Sequence, residues 1–278
     1  LLSYRHSFHA GNFADVLKHI VTIEIFEHLT QKDSPFDYID THAGAGLYNL
    51  KAKDAAKLQE YTQGIAKLKS EAWPELSRYF DIIKKHNPTG TLNFYPGSPV
   101  IAQDFLRTKD RSWLFEMHPA DFELLKKNTA NDHRIKVSQD DGYNGLLSLL
   151  PPLSRRGLIL IDPSYELKSD YTRVFDVVNK AYKKFSTGIY AIWYPVVERK
   201  RIDQLERKFI RSGIKNIQRF ELGLSEDNYS QGMTSSGMIV INPPWTLMDK
   251  MSQILPKLVK TLGEKENAIF KAEVLASE

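Results

Sequence analysis

Asp162-Pro163-Ser164-Tyr165 follows the apolar run Gly157-Leu158-Ile159-Leu160-Ile161, and its residue types suit chemistry on an aromatic amine. The lone pair of such a nitrogen is delocalised into the ring, which makes it a poor nucleophile. The Asp162 carboxylate and the Pro163 carbonyl, accepting its hydrogens, would favour a pyramidal nitrogen and stabilise the charge that grows as it attacks. Tyr165 offers a flat ring on which an extruded base can stack. The rest is positioning, and no metal is needed. Other stretches suit a ligand. Asp40-Thr41-His42-Ala43-Gly44-Ala45-Gly46 has glycines that let backbone approach a bound molecule and turn into a helix. It lacks the G-x-G-x-x-G spacing, which disfavours a dinucleotide site. Glu116 ends the run Trp113-Leu114-Phe115, where a carboxylate can accept both hydroxyls of a ribose. Asp141-Gly142 follows the next run, where an Asp can bind the amino group of an adenine.

The elements that must position these residues are legible as alternation. Short apolar runs occupy residues 36–40, 112–116, 134–138, 157–162, 188–194, 214–222 and 237–242, with helical patterns at 13–29, 120–128, 171–184 and 199–212. Such alternation predicts βαβ units in a doubly wound, mostly parallel sheet of seven strands. The last two runs are joined by the Gly/Ser/Asn-rich stretch 225–236 with no helical pattern, so they should form an antiparallel pair. The interval from Gly46 to Ser112 is too long for one βα unit. It contains amphipathic patterns at 60–69 and 75–85, and we read 49–95 as a small helical subdomain inserted into a single 1–278 domain.

Composition sets wide bounds. The 278 residues are 42% hydrophobic and 26% charged, ordinary for a globular domain. No apolar run approaches the ~20 residues of a membrane span. The segment LLSYRHSFHAGN has no apolar h-region, so no secretory signal is expected and the chain reads as cytoplasmic. Without cysteine there is no disulfide, thiol nucleophile or thiolate metal site. The net charge of +4 says little about nucleic acid. Basic residues cluster at Arg155-Arg156 and along 199–211, where a solvated helix face is the simpler reading and a phosphate-contacting surface the functional one. His6 and His9 lack further ligands for a metal.

The loop at 162–165 is similar to the [D/N/S]-P-P-[Y/F/W] signature of amino methyltransferases, and the loop at 40–46 resembles the cofactor loop of adenosylmethionine enzymes. Asn242-Pro243-Pro244-Trp245 matches the first signature without departure. It follows the final, antiparallel run, so its end should point away from the ligand edge of the sheet. We read it as a strand-ending turn with a packed Trp.

Taken together, SYRHSFHAGN with ADVLKH, DTHAGAG, YPGSP, E-x-H-P, SRRGLILIDP, GIYA-x-WYPV and SGMIVINPPW resemble the ribosomal RNA large subunit methyltransferase J family from residue 2 to about 247. The resemblance implies a Rossmann-like class I methyltransferase fold with an inserted helical subdomain. It also implies adenosylmethionine-dependent N6-methylation of one adenine in 23S rRNA, by a chain that we expect to act as a monomer. It places His19, His42 and Ser98 on the cofactor beside Gly44, Gly46, Glu116, Asp141, Gly142 and Asp162, and makes Asp162 the catalytic acceptor. It sets Tyr4 against the substrate RNA, and we assign Lys18 and Tyr165 to substrate with it. The chain departs from the family at Ser164, where the family has a second proline, and at Leu1, where it has Met. Ser164 should cost loop rigidity and leave the reacting groups in place. Two other functions share these motifs: DNA adenine-N6 methylation, and a non-enzymatic nucleic-acid-binding or DNA-uptake role on the same fold.

Overall fold

Side-chain alternation along the strands sorts the molecule into layers. The strands, in chain order, are β1 (Asp37–Asp40), β2 (Leu47–Asn49), β3 (Phe94–Pro96), β4 (Arg111–Phe115), β5 (Ile135–Ser138), β6 (Gly157–Ile161), β7 (Ile189–Val196), β8 (Ile217–Gly223), β9 (Ser235–Ile241) and β10 (Ile269–Ala276). The α-helices are α1 (Phe13–Thr30), α2 (Lys53–Leu58), α3 (Ser77–Lys85), α4 (Ser98–Phe105), α5 (Pro119–Asn128), α6 (Gly142–Leu149), α7 (Asp170–Lys184), α8 (Arg199–Arg211) and α9 (Leu247–Leu262). On β6, Leu158 and Leu160 enter one core with α1, α4 and α9, while Ile159 and Ile161 enter the other with α6, α7 and α8. Both faces of the sheet are covered, which is why β6 is apolar at every position. This computed structural model describes residues 6–227, 232–263 and 267–277.

Among the described residues the main sheet has eight strands in the order β10-β8-β9-β7-β6-β1-β4-β5, one more than the seven expected. Strands β5, β4, β1, β6 and β7 are parallel, and β9 lies antiparallel between β7 and β8. The additional strand, β10, pairs antiparallel with β8. Its sequence IFKAEVLA mixes Lys and Glu with apolar residues because it is a partly exposed edge, so it carries no buried-strand pattern. The chain runs outward from β1 to β4 and β5, then returns to β6 beside β1. That reversal opens a crevice at the carboxyl ends of β1 and β6, the usual ligand position in open α/β sheets.

Residues between β2 and β3 leave the sheet domain on a short antiparallel ribbon, with Tyr48 opposite Tyr95. The expected helix at 60–69 is instead a pair of 3-10 turns, Glu60–Gln63 and Ile65–Lys67. Gly64 separates them, and a Cβ on Gly64 would collide with the Gly11 carbonyl, which accepts from Ile65 N at 2.9 Å. Close packing against the start of α1 thus overrides the helical pattern. The segment's apolar residues, including Trp73, Leu76 and Ile82, join the core around α1. Helix α1 is buried over most of its length and is capped by Asn12, whose side chain accepts from Asp15 N at 3.0 Å.

Candidate active site

A cleft of about 680 Å³ lies at the crevice, lined by residues from α1, the loops after β1, β4 and β6, the start of α4, and α7. Asp162 sits at the end of β6 with Oδ2 2.6 Å from Lys18 Nζ. Lys18 is only 4% exposed although it carries a charge. Its ammonium lies 2.8 Å from Asp15 Oδ1 as well, so one buried cation joins two carboxylates. Burial works against that cation, but Asp15 and Asp162 outweigh it and raise the Lys18 pKa. Asp15 is held in turn by Gly11 N at 2.9 Å and by His6 Nε2 at 2.8 Å. Burial works against its charge, but His6 and Lys18 keep its pKa well below the ordinary range. Pro163 and Ser164 also line the cleft.

Asp40, at the end of β1, is fully buried and accepts from Tyr38 Oη and Ser98 Oγ, each at 2.7 Å, and from His42 N at 3.2 Å. Burial raises its pKa to about 6 against the pull of those donors. Gly44 has φ +62°, and a Cβ there would strike the Tyr48 hydroxyl. Only glycine fits that turn. Its N–H donates to Glu116 Oε2 at 2.8 Å, and His118 N donates to Oε1 at 2.7 Å. Burial raises the Glu116 pKa despite these bonds. Each Glu116 oxygen retains a lone pair for a further donor. His19 lines the cleft, with Nε2 buried and without a partner among the described residues, while Nδ1 meets Tyr95 Oη at 2.7 Å. Burial lowers the pKa of His19 to about 3 and that of His42 to about 4, so both rings are neutral near pH 7.

The sequence-expected residues thus divide. Lys18, His19, His42, Gly44, Ser98, Glu116, Asp162 and Pro163 meet around the cleft. Gly46, Asp141, Gly142 and Tyr165 are not part of its wall. Asp141 caps α6, accepting from Tyr143 N at 2.9 Å and Asn144 N at 3.2 Å, and forms an ion pair with Arg173. Gly142 lies where a Cβ would collide with the Thr41 carbonyl, so its local reason is packing. Tyr165, at φ +51°, donates to Trp193 O at 2.7 Å and lies against Tyr171 with ring centroids 4.5 Å apart. Tyr4 lies outside the described residues.

Asp15, Tyr95 and Arg173 complete the surroundings and were not singled out by pattern. Charged residues inside an otherwise apolar helix, Asp15 and Lys18 three apart on α1, are the signal that could have found the first. The complete N-P-P-W signature lies at the opposite edge of the sheet, where Asn242 Nδ2 donates to Ser186 O and Gly188 O at 2.8 Å, just before β7. Its Trp is not packed: Trp245 is 80% exposed, and Leu247 fills the core instead. In the basic cluster, Arg199 is engaged by Glu221 at 2.8 Å and Asp227 at 2.6 Å. Arg156 donates to the carbonyls of Leu29 and Ser34, bracing the end of α1. His6 and His9 are bound to Asp15 and Glu60, and among the described residues no group of three or more His, Asp or Glu could hold a metal.

Residues 33–273 match the family described as ribosomal RNA large subunit methyltransferase D, RlmJ. The chain belongs to this methyltransferase family. It is 50% identical over 260 residues to ribosomal RNA large subunit methyltransferase J of Escherichia coli K12, covering 93% of each chain. With the protein of the same name from Haemophilus influenzae it shares 46% identity across the full length of both. The crystal structure of a Legionella pneumophila protein superposes with a TM-score of 0.87 at 39% identity, covering 96% of this chain and 98% of that one. Among the described residues of this RlmJ-family chain, no helix is long and apolar enough to cross a membrane.

Proposed function

We propose that this chain transfers the methyl group of adenosylmethionine to the exocyclic N6 of an adenine in 23S rRNA, acting as a monomer in the cytoplasm. The observation that carries the reading is Asp162 at the mouth of the β1/β6 crevice, with Oδ2 held by buried Lys18 and only that oxygen engaged among the described residues. The relatives' names supply the substrate class.

The residues present fit the cofactor. The Glu116 carboxylate, fixed by Gly44 N and His118 N, suits a ribose diol. The Gly44 turn admits a ligand against backbone. His19 Nε2, without a partner among the described residues, and Ser98 Oγ, which donates to Asp40, suit the polar groups of an amino acid. When bound, adenosylmethionine supplies the electrophilic methyl group. Asp162 then accepts a hydrogen bond from the adenine amino group and stabilises positive charge as it grows on nitrogen, with the Pro163 carbonyl as second acceptor. Lys18 holds Asp162 in place, so its part is positioning rather than contact with RNA. Tyr165, its hydroxyl bound to Trp193 O, would offer its ring to an extruded base. Asp141 and Gly142 shape the adenine end from behind the wall, through the α6 cap and the Thr41 contact.

Methyl transfer to a 23S rRNA transcript, with duplex DNA as the control, tests this reading. Incorporation into N6 of adenine in the RNA alone is the expected result. Methylation of the duplex alone, or of neither, contradicts it. Sedimentation at the mass of one 31.9 kDa chain tests the monomer.

A further inference from the structure

The segment between β2 and β3 reaches into the cleft through a chain of hydroxyls. Tyr79 on α3 and Tyr95 on β3 bond each other at 2.8 Å, and Tyr95 bonds His19 Nδ1 at 2.7 Å with its ring stacked on the imidazole at 29°. All of these side chains are buried, with exposures of 1%, 0% and 1% for Tyr79, Tyr95 and His19. At the other end of the imidazole, Nε2 is buried and has no partner among the described residues, and His19 is part of the cleft wall.

The end of the chain fixes its direction. Among the described residues, Tyr79 Oη meets only Tyr95 Oη. If Tyr79 accepted, its own hydrogen would be buried with no acceptor. If it donates, only lone pairs go unmet, which is the lesser cost. Tyr79 therefore donates to Tyr95, Tyr95 donates to His19 Nδ1, and the ring proton is left on Nε2. Burial keeps the ring neutral at pH 7, so a single proton is shared between its nitrogens. Ser98, in the same wall, is polarised the other way: it donates to Asp40 and keeps lone pairs for a ligand. A donor and an acceptor so arranged suit the carboxylate and ammonium of an α-amino acid.

We propose that Tyr95, backed by Tyr79, is a positioning residue that fixes His19 as an Nε2–H donor toward the carboxylate of the cofactor's amino-acid moiety. This gives the segment between β2 and β3 a part in cofactor selection, and it rests on the adenosylmethionine reading above. It separates ligands that carry the amino-acid group from those that carry only the thioadenosine.

Nitrogen-15 NMR of the ligand-free chain with labelled histidine reads the tautomer. The expected spectrum has a protonated Nε2 and a bare Nδ1 on His19, and a mixture of tautomers in Tyr95→Phe. By calorimetry, Tyr95→Phe should weaken adenosylhomocysteine by about tenfold, the loss of roughly one hydrogen bond. It should leave methylthioadenosine, which lacks the amino-acid group, within about twofold. Tyr79→Phe should follow the same pattern with a smaller loss. A proton on Nδ1, or equal losses for both nucleosides, overturns the proposal. If the unaltered chain bound neither nucleoside, the adenosylmethionine reading itself would fail, whereas the spectrum would still decide the tautomer.

Discussion

Lys18 is a buried cation between Asp15 and Asp162, and the site's electrostatics turn on it. Lys18→Met leaves buried Asp15 without its ammonium and should destabilise the chain by about 3–5 kcal/mol, read as a lower urea midpoint. Asp162→Asn should lower the turnover rate by ~100-fold or more with adenosylhomocysteine affinity nearly unchanged, since its acceptor role is realised mainly as charge develops. The two substitutions thus separate stability from catalysis. His19 gives a pH signature. Its folded pKa is about 3 against an ordinary 6.5, so between those values unfolding takes up a proton. The stability it contributes is complete above pH 6.5 and is lost as pH falls toward 3. His19→Gln should remove about 1.4 kcal/mol per pH unit from the slope of unfolding free energy within that window. Equal slopes in urea titrations of the two proteins would contradict the buried, neutral ring. Asp162 and Glu116 were visible in the sequence because each ends an apolar run. Asp40 ends such a run too, and Asp15 left only its spacing of three from Lys18 on α1. Tyr95 was not visible, because its partners Tyr79 and His19 lie on other elements and no local spacing records them.

At the scale of elements, the close approach of Gly11 and Gly64 joins α1 to the segment that carries Tyr79 and Tyr95. Gly64→Ala forces a Cβ into the Gly11 carbonyl and should cost about 1–3 kcal/mol, with loss of adenosylhomocysteine affinity as α1 and His19 shift. Thermal unfolding and calorimetry on one preparation would show whether the two losses travel together. β10 covers the edge of β8 and is tied to it by the buried Arg219, which pairs with Glu206 and Glu273. Ending the chain at 263 should lower the melting temperature and promote aggregation by exposing that edge. A truncated chain as stable and soluble as the full one would deny β10 that role. Runs such as 157–162 and the antiparallel β8/β9 pair were legible because burial on both faces, or a helix-free Gly/Ser loop, leaves a local mark. β10 and the 3-10 turns at 60–67 were not, since an edge strand need not look buried and the turns are set by contact with Gly11. The Trp245 error has the same origin: a strand-ending Pro-Pro turn leaves open which following residue faces the core, and Leu247 takes that place.

For the whole molecule, sheet order does what motif matching alone cannot. Two loops carry methyltransferase-like signatures, at 162–165 and 242–245, and the less complete one lies on the ligand edge because β6 is parallel to β1 while β9 runs the other way. Ser164 is that loop's departure from a double proline. Ser164→Pro should raise turnover modestly by stiffening the loop, and unchanged methylation would show that the surrounding packing already holds it. The central claim is the identity of the methylated atom, and it is tested most directly in cells. Mass spectrometry of digested 23S rRNA should show one N6-methyladenosine lost when this chain is absent, restored by the unaltered chain and not by Asp162→Asn. An unchanged set of methyladenosines in the absence of the chain would contradict the account.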